Sequence, residues 1–382
     1  MKLKSIAAVT CGMLLASGHV YAQSSVTLYG IVDVGITYVH NSGGHSSQWK
    51  MSGGNMSGSR WGMLGTEDLG GGLKTVFRLE NGFNPTNGQL SQGGREFGRQ
   101  AYVGLSHDQW GTFTLGRQYD AVVSLEQPIT LDHYFMLSAA PGDPDNYDNS
   151  IRFDNTVKWS SPNWSGFQAQ ATYSLGGVAG QMGAGQSFSA AAAYTHGPFS
   201  IAGGYFHIDY GRTATAGVRV PTSTGDSLFN SSVNRGYASA KAVDSGRVGA
   251  QYVIGPVTLG GSYSYSEYKP DALSIFTVSE KYKIAMAYGV WQVTPALLLG
   301  TGYTNMKTSG DSSATYNQFS LGADYVLSKR TDVWLVGGHT HASGQTRVGS
   351  GLAPAQAVVS SINIDSGRST QDLVVFGIRH RF

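Results

Sequence analysis

The sequence predicts an all-β fold, a sixteen-stranded antiparallel transmembrane β-barrel. Three observations point to it: segments of about ten residues alternate between apolar and small polar side chains, short turn signals separate these segments in pairs, and no long helical pattern competes. The composition agrees, because the chain of 382 residues has 53 glycines and only 13% charged residues. Soluble domains average roughly 25% charged residues and 7% glycine, so an ordinary soluble fold is disfavoured.

Residues 1–22 are predicted to be a signal peptide, followed by one barrel domain over residues 23–382. Lys2 and Lys4 precede a mainly apolar stretch, and residues 20–22 have the small-residue spacing of a signal-peptidase site. The alternative, an uncleaved signal anchor, needs an apolar run of roughly 20 residues, and this one is shorter. No later stretch holds about 18 uninterrupted apolar residues, which excludes a multi-span helical membrane protein.

The predicted mature chain has neither a thiol nor a net charge. Cys11, the only cysteine, lies in the predicted signal peptide, so disulfides and thiolate metal sites are excluded. Removal of Lys2 and Lys4 changes the balance from 26 basic against 24 acidic residues to 24 against 24. A neutral exported chain gives no global reason to expect nucleic acid as a partner.

The first predicted strand begins at Ser25 and has one apolar and one wet face. The apolar face carries Val26, Leu28, Val32, Val34, Ile36 and Tyr38, and the other carries Thr27, Tyr29, Asp33 and Thr37. Residues 167–174, 257–265 and 319–325 repeat this alternation. Aromatic residues lie near the ends of the apolar faces, as in membrane barrels with aromatic girdles at both interfaces.

The turn signals give the strand count. Short turns are predicted at seven places: 67–72, 107–111, 161–166, 196–198, 255–256, 294–295 and 328–332. Eight longer polar stretches separate them, near 40–58, 82–97, 118–149, 175–187, 207–245, 267–280, 305–316 and 342–370. Seven hairpins make fourteen strands, and an opening and a closing strand make sixteen. We expect a closed cylinder, because lipid offers no hydrogen-bond partner to an edge strand.

The last predicted strand, residues 372–382, places an apolar row on one face and ends on an aromatic residue. This row consists of Val374, Phe376, Ile378, His380 and Phe382. We interpret it as an outward seam used in barrel assembly, and the alternative is an ordinary terminal strand.

Several charged residues fall on the polar faces of predicted strands. Arg152, Asp154, Thr156 and Lys158 share one face of the strand over 150–159, and Lys74, Arg78 and Glu80 share a face of another. Arg60 alternates with Trp61 and Met63, and Arg99 alternates with Gln100 and Tyr102. Guanidinium groups inside a barrel require water or acidic partners. The sequence therefore predicts a water-filled interior with a basic wall.

The third long stretch, 118–149, is acidic and partly apolar. It contains six carboxylates and no lysine or arginine, namely Asp120, Glu126, Asp132, Asp143, Asp145 and Asp148. A loop of roughly thirty residues is uncommon unless it is functional or disordered. We expect this one to fold into the barrel with its acids opposite the basic wall, and the alternative is an external loop. Opposed charges at a narrow waist favour hydrated polar solutes.

The chain resembles the Gram-negative general porins, most closely their β-proteobacterial branch. The matching stretches extend over nearly the whole predicted mature chain and consist of 25–33 (SVTLYGIVD), 59–74 (SRWGMLGTEDLGGGLK), 99–105 (RQAYVGL), 111–119 (GTFTLGRQY), 155–162 (NTVKWSSP), 327–331 (LSKRT) and the terminal Phe382. Individually several of these motifs are weak, but together and in order they are highly specific.

This resemblance implies a homotrimer of barrels with short periplasmic turns and long extracellular loops, each channel constricted by the third loop. It implies partners as well: outer-membrane lipid, lipopolysaccharide, ions and small hydrophilic solutes. In such porins an arginine cluster lines the waist, and the matching positions are Arg60, Arg99 and Arg152, with Lys74, Arg78 and Lys158 as neighbours in phase. The enteric Pro-Glu-Phe-Gly-Gly pattern is absent from 124–132, so the candidate constriction acids are Asp120, Glu126 and Asp132.

The predicted function is passive diffusion across the outer membrane, with no catalysed reaction, cofactor, metal or nucleic acid. An outer-membrane esterase is disfavoured, since the four-residue signature at 225–228 (GDSL) lacks its strand-to-helix context. The acids at 143–148 fail the EF-hand spacing, and His339 with His341 would make a poor metal site. A substrate-selective channel and an adhesin or receptor barrel remain the alternatives.

Overall fold

The computed structural model describes residues 24–135, 138–181, 183–211, 219 and 226–382. The predicted signal peptide over 1–22 lies outside these residues. A single antiparallel sheet of eighteen hydrogen-bonded strands contains almost all of the regular structure. Within the described ranges, no helix has the length and apolar character needed to cross a bilayer.

The strands lie on either side of the predicted short turns, but two of them, His45–Gly53 and Gly351–Pro354, fall inside the stretches 40–58 and 342–370, which were predicted to be long loops. The strands are β1 (Ser25–Ser42), β2 (His45–Gly53), β3 (Arg60–Gly70), β4 (Leu73–Gly82), β5 (Gln100–His107), β6 (Gly111–Gln118), β7 (Phe153–Ser160), β8 (Phe167–Ser174), β9 (Ser187–His196), β10 (Phe199–Asp209), β11 (Ala242–Ile254), β12 (Val257–Lys269), β13 (Glu280–Thr294), β14 (Leu297–Ser309), β15 (Ser313–Val326), β16 (Thr331–Val348), β17 (Gly351–Pro354) and β18 (Thr370–Arg381). Two short α-helices are α1 (Ala121–Glu126) and α2 (Leu131–Tyr134), and 3₁₀ turns occur at Gln92–Gly94, Gln127–Ile129 and Arg235–Tyr237.

The eighteen hydrogen-bonded strands correspond to sixteen strands of the barrel wall. β2 and β3 both pair with β1, at residues 34–42 and 25–31 respectively, so together they form one interrupted strand. β17 is a short extension that pairs only with the upper part of β16. The ring closes because β18 pairs with both β16 and β1. The prediction of a closed sixteen-stranded antiparallel barrel is confirmed.

All seven predicted short turns connect adjacent antiparallel strands at the same end of the barrel. The turn between β11 and β12 shows why turn chemistry is readable from sequence: Gly255 has φ 57° there, a conformation that glycine adopts without strain. The long loops lie at the opposite end. Short turns therefore join the strands at one end of the barrel, and most of the irregular chain lies at the other end.

The two faces of the wall differ as the period of two predicts. In β1, Asp33 and Thr37 are buried inside the barrel, whereas Ile36 is 54% exposed on the outside. In β18, Leu373 and Val375 are buried, and Val374 and the other members of the predicted outward row are exposed. The outer surface is apolar and the inner surface is lined with polar and charged groups, as expected for strands between lipid and water.

Phe382 closes the seam between the first and last strands. Its backbone N–H donates to the Gly30 carbonyl at 3.0 Å, and its own carbonyl accepts from the Gly30 N–H at 2.9 Å. Its ring covers Gly30 so closely that a Cβ on residue 30 would lie 2.2 Å from Phe382 Cζ. Only glycine leaves room for the ring at this position.

One predicted face assignment holds for Thr156 and Lys158, which are buried inside the barrel, but fails before them. Arg152, Asp154, Thr156 and Lys158 were expected on the same face of one strand, but β7 begins only at Phe153 and contains an irregularity. Asn155 has φ 53°, and the register with β6 shifts between Gly116 and Gln118. This bulge reverses the alternation, so that Phe153 is buried instead of facing outward.

Three long loops fold back into the barrel. We call their described residues loop 3 (119–135 and 138–152), loop 5 (210–211, 219 and 226–241) and loop 8 (355–369). Their apolar residues are buried against the inner faces of β10 to β16, with Leu131 of loop 3, Tyr237 of loop 5 and Val358 of loop 8 each at most 1% exposed. These loops fill one side of the interior, and the open space runs along the side formed by β1 to β4.

Candidate functional site

Loop 3 begins with α1, whose N-terminus is capped by Asp120. The Asp120 carboxylate accepts the N–H groups of Val122 at 2.7 Å and Val123 at 3.0 Å, as expected for an aspartate before a helix. Asp120 is completely buried. The prediction that it is a constriction acid is therefore corrected: its charge is used inside the loop.

Glycines in the opposite wall receive the apolar side chains of loop 3. Phe135 lies against Gly300 of β14 and Gly322 of β15, where an added Cβ would be 2.3 Å from its ring in each case. Leu131 lies in the same way over Gly302 of β14, at 2.3 Å from the position of a Cβ. Loop 3 therefore packs into gaps on the barrel wall that a side chain on any of these glycines would fill.

A buried ion pair fixes the same loop to the wall. Glu126 of α1 pairs with Arg247 of β11, and both side chains are 1% exposed. Arg247 also donates to the backbone carbonyl of Asp145 at 3.2 Å, and its guanidinium carbon lies 5.2 Å from the ring centroid of Tyr147. Glu126 was predicted to face the channel; instead its charge is neutralised by an arginine on the far wall.

An open cavity of about 530 Å³ lies between loop 3, the start of β3 and the segment that follows β4. Its lining combines the three predicted arginines with acids and polar groups of loop 3 and with backbone of the break between β2 and β3. The residues that matter for its charge are Arg60, Arg99, Arg152, Tyr119, Asp132, His133 and Asp148. A second cavity of about 350 Å³ shares Gly53, Asn84 and Asp148 with it, so the two form one continuous space.

Arg60, Arg99 and Arg152, which we call the arginine cluster, surround Tyr119. Arg99 donates to Glu80 at 2.8 Å and to the Tyr119 hydroxyl at 2.7 Å. The guanidinium carbon of Arg152 lies 5.4 Å from the centroid of the same ring. Among the described residues, no carboxylate forms an ion pair within 4.0 Å of the guanidinium group of Arg60 or Arg152. Three guanidinium groups and the single Glu80 carboxylate leave two positive charges facing the cavity.

Asp132 and Asp148 form the acidic side of the cavity. Gln127 donates to Asp132 at 2.5 Å, and the Ser361 hydroxyl of loop 8 donates to Asp148. Burial raises the pKa of Asp132 well above its usual range, and the neighbouring carboxylate of Asp148 raises it further. Burial also raises the pKa of Asp148 to about 6, although Ser361 and the arginine cluster oppose the rise. The two acids therefore carry less negative charge near neutral pH than exposed carboxylates would.

The other predicted basic residues lie away from this cavity. Lys158 donates to the Tyr119 carbonyl at 3.1 Å and to Ser124 at 2.7 Å, so it supports the start of loop 3. The guanidinium carbon of Arg78 lies 5.6 Å from the ring centroid of Tyr29. Lys74 is at the short-turn end, 3.9 Å from the exposed Asp108. Its prediction as a constriction residue is wrong, because alternation gives the face of a strand but not the height along it.

Loop 5 brings a carboxylate that the sequence reasoning did not assign to the site. Asp226 accepts from Arg117 of β6 at 2.6 Å and from the backbone N–H of Arg152 at 3.2 Å. Arg117 also pairs with Asp154 of β7. Asp226 belongs to the esterase-like signature, whose first residue lies outside the described residues. Nothing in the strand pattern could have indicated that a residue so far along the chain meets Arg117.

Loops 5 and 8 make contacts with loop 3. Asn234 donates to the Gly142 carbonyl at 2.7 Å, and the Gly142 N–H donates to the Ser360 carbonyl at 2.9 Å. These loops therefore pack over the inner side of the barrel mouth. In the described part of the chain, no group of three histidine, cysteine, aspartate or glutamate residues is arranged to hold a metal ion.

Comparisons with known proteins agree with this architecture. A family profile described as Gram-negative porin matches residues 6–345. An outer membrane porin protein of Bordetella pertussis is 31% identical over 85% of this chain and 90% of its own. Outer membrane porin protein 32 of Delftia acidovorans is 31% identical over 98% of this chain and 99% of its own.

Solved structures show the same fold. The anion-selective porin from Comamonas acidovorans superposes with a TM-score of 0.71 at 26% identity, covering 94% of this chain and 100% of its own. A trimer form of OmpT from Vibrio cholerae superposes with a TM-score of 0.63 at 15% identity, over 94% of this chain and 99% of that one. The second similarity concerns the fold alone.

Proposed function

The chain belongs to the Gram-negative porin family, and on that premise we propose where solutes cross it and which charge they carry. The protein is an outer-membrane porin that forms a channel for the passive diffusion of ions and small hydrophilic solutes. Its narrowest passage is the cavity between loop 3 and the arginine cluster, and it conducts anions in preference to cations.

The main support for anion preference is the positive charge of arginine side chains at the cavity that no ion-paired carboxylate neutralises. The guanidinium groups of Arg60 and Arg152 face it without an ion-paired carboxylate within 4.0 Å among the described residues, and within the arginine cluster only Arg99 is paired, with Glu80. The opposing acids carry reduced charge because burial raises the pKa of both Asp132 and Asp148. Rings of positive side chains favour anions in pores. The name of the Comamonas relative, an anion-selective porin, is consistent with this preference.

Single-channel recording in planar bilayers tests the proposal. Under a KCl gradient the wild-type reversal potential should lie towards that of chloride, and the triple variant R60Q/R99Q/R152Q should move it towards that of potassium. The matched control is K74Q, which removes one positive charge at the short-turn end and should leave the reversal potential unchanged. A triple variant with wild-type selectivity would remove the arginine cluster from the conducting path.

The named relatives are channels rather than enzymes, and we propose that this barrel catalyses no reaction. Two residues of the esterase-like signature support the absence of catalysis, because both have structural partners. Asp226 accepts a hydrogen bond from Arg117, and the Ser227 hydroxyl accepts the Phe229 N–H at 2.9 Å. Purified protein should not hydrolyse a p-nitrophenyl ester faster than buffer does. Turnover lost in a Ser227→Ala variant would contradict the proposal.

We also propose a homotrimer and a cleaved signal peptide. The family resemblance supports the trimer. Chemical cross-linking in detergent should stop at three chains. N-terminal sequencing of the exported protein should begin at Gln23, and a mature protein that retains Lys2 would show that the segment stays attached.

A further inference from the structure

Two lysines face each other across neighbouring strands on the outer surface of the barrel. Lys283 of β13 and Lys307 of β14 are directly opposite in the ladder, and both are exposed. Side chains at opposite positions of an antiparallel pair have their Cβ atoms about 4.5–5.5 Å apart. Like charges at that separation are destabilising unless a counter-charge lies between them.

The row that contains these lysines offers no such counter-charge. Tyr265 of β12 is opposite Lys283, and Thr315 of β15 is opposite Lys307. All four side chains can donate hydrogen bonds, and none is acidic. Among the described residues, neither lysine has a carboxylate within 4.0 Å.

The row one step nearer the long loops is different. There Asp244, Glu267 and Lys281 are consecutive neighbours across β11, β12 and β13. Lys269 pairs with Asp244, and Lys281 is opposite Glu267. Positive charge is balanced in that row and unbalanced in the row below, so the unpaired lysines are not simply part of a generally basic surface.

The height of the pair matches the boundary between hydrocarbon and lipid headgroups. Trp291 marks the short-turn end of the outward face of β13 and is 50% exposed. Lys283 lies further up the same face, and a rise of about 3.3 Å per residue at a tilt of 35–45° separates the two by roughly 20 Å along the barrel axis. The lipid-facing band of such barrels is about 25 Å tall. Lys283 and Lys307 therefore lie near the upper edge of that band.

We propose that Lys283 and Lys307, with Tyr265 and Thr315, form a binding site for a phosphate group of an outer-leaflet lipid headgroup. A phosphate between the two ammonium groups removes their repulsion and accepts hydrogen bonds from the flanking hydroxyls. The occupant is a phosphorylated membrane lipid, since the site opens towards lipid and its lower border is apolar. This inference depends on the location in the outer membrane but not on the anion preference of the channel.

The test compares the double variant K283Q/K307Q with K329Q/R330Q, which removes two positive charges from an exposed short turn at the other end. Each purified protein is titrated with mixed micelles containing lipid A that carries both phosphates, and bound lipid is counted by native mass spectrometry. The affinity of K283Q/K307Q should fall about thirtyfold, which corresponds to about 1 kcal/mol for each lysine near a charged membrane surface. K329Q/R330Q should bind like the wild type.

Two further arms distinguish the source of the phosphate. Lipid A stripped of phosphate should bind wild type and K283Q/K307Q equally weakly, and inorganic phosphate at the same concentration should not compete with the intact lipid. The proposal is overturned if K283Q/K307Q retains wild-type affinity, if both double variants lose affinity alike, or if stripped lipid or free phosphate replaces the intact lipid. Heat-dependent gel mobility shows beforehand that each variant has folded.

Discussion

The ring of Phe135 occupies the space that a side chain on Gly322 would need, with Phe135 Cδ1 2.3 Å from the position of an added Cβ. One residue belongs to loop 3 and the other to the wall strand β15. The position of the loop therefore depends on the absence of a side chain on the wall.

Replacement of Gly322 by leucine should displace loop 3 from the wall. The new side chain would compete with Phe135 for one gap, and overfilling a packed site costs about 1–3 kcal/mol. We expect altered single-channel conductance and more frequent transitions between conductance levels, measured in planar bilayers.

Gly289→Leu is the matched control for this substitution. Gly289 is also a strand glycine, but an added Cβ there would meet only Leu259 at 3.4 Å, which is an ordinary contact. Conductance should stay at the wild-type level in the control. Identical traces for the two variants would show that Phe135 does not hold the loop.

Breaking the Glu126–Arg247 pair should loosen the same loop from another side. In E126Q the Arg247 charge stays buried without its carboxylate, and removal of one partner of a buried pair typically costs about 3–5 kcal/mol. Thermal unfolding in detergent, followed by heat-dependent gel mobility, should occur at lower temperature.

Two comparisons sharpen that experiment. K74Q removes one partner of the exposed Lys74–Asp108 pair and should cost at most about 1 kcal/mol, as surface pairs do. The double variant E126Q/R247M should recover much of the stability lost in E126Q, since the Arg247 charge is no longer buried without its partner. If E126Q and K74Q unfold at the same temperature, the buried pair does not anchor the loop.

Anion preference should increase as pH falls from about 8 to about 5. The pKa of Asp148 is raised to about 6, chiefly by burial, so its carboxylate is ionised at the upper pH and neutral at the lower. Burial lowers the pKa of His133, and any protonation of that ring at acid pH adds positive charge, in the same direction. Reversal potentials measured across this range should move towards that of chloride.

The variant D148N tests the assignment of this pH response. Its side chain is neutral throughout, so its selectivity at pH 8 should resemble that of the wild type at pH 5, with a flatter pH profile. D108N, at the short-turn end, should keep the wild-type profile. A D148N profile as steep as that of the wild type would assign the response to another group.

Asp33 should prove necessary for the position of Arg60. Its carboxylate accepts the N–H groups of Asn55 at 2.9 Å and Met56 at 3.2 Å, and its backbone N–H donates to the Ser59 hydroxyl at 3.0 Å. These bonds shape the break between β2 and β3, directly before Arg60. D33N should lower stability by about 1–3 kcal/mol, as loss of a buried acceptor does, and should reduce anion preference in reversal-potential measurements.

D68N is the control for D33N. Asp68 also accepts a backbone N–H, from Gly70 at 2.8 Å, but it lies at an exposed short turn. Its replacement should change neither stability nor selectivity measurably. Reduced stability in D33N with unchanged selectivity would separate the shape of the break from the placement of Arg60.

The barrel itself was predictable from the sequence because its determinants are local. A period of two sets the faces of β1, β12 and β15, and turn residues such as Gly255 mark the hairpins. The arginine cluster could be predicted for a related reason: Arg60 and Arg99 fall in phase on polar faces, and the family resemblance assigns all three positions.

The contacts of the long loops were not predictable, because they join residues far apart in the chain. Glu126 meets Arg247, and Asp226 meets Arg117, through interactions that no periodicity encodes. The bulge at Asn155 also changed a face that strict alternation had assigned. Lys74 shows a further limit, since phase does not give depth along a strand.

The bonds between Gly30 and Phe382 bear on how the molecule is built. The cylinder cannot be sealed until β18 has been delivered to β1, which was synthesised more than three hundred residues earlier. Joining such distant segments is slow, because the intervening chain must first be ordered. During that interval β1 and β16 are open templates for other polypeptides, so a cell that makes this protein must shield unfinished copies from one another.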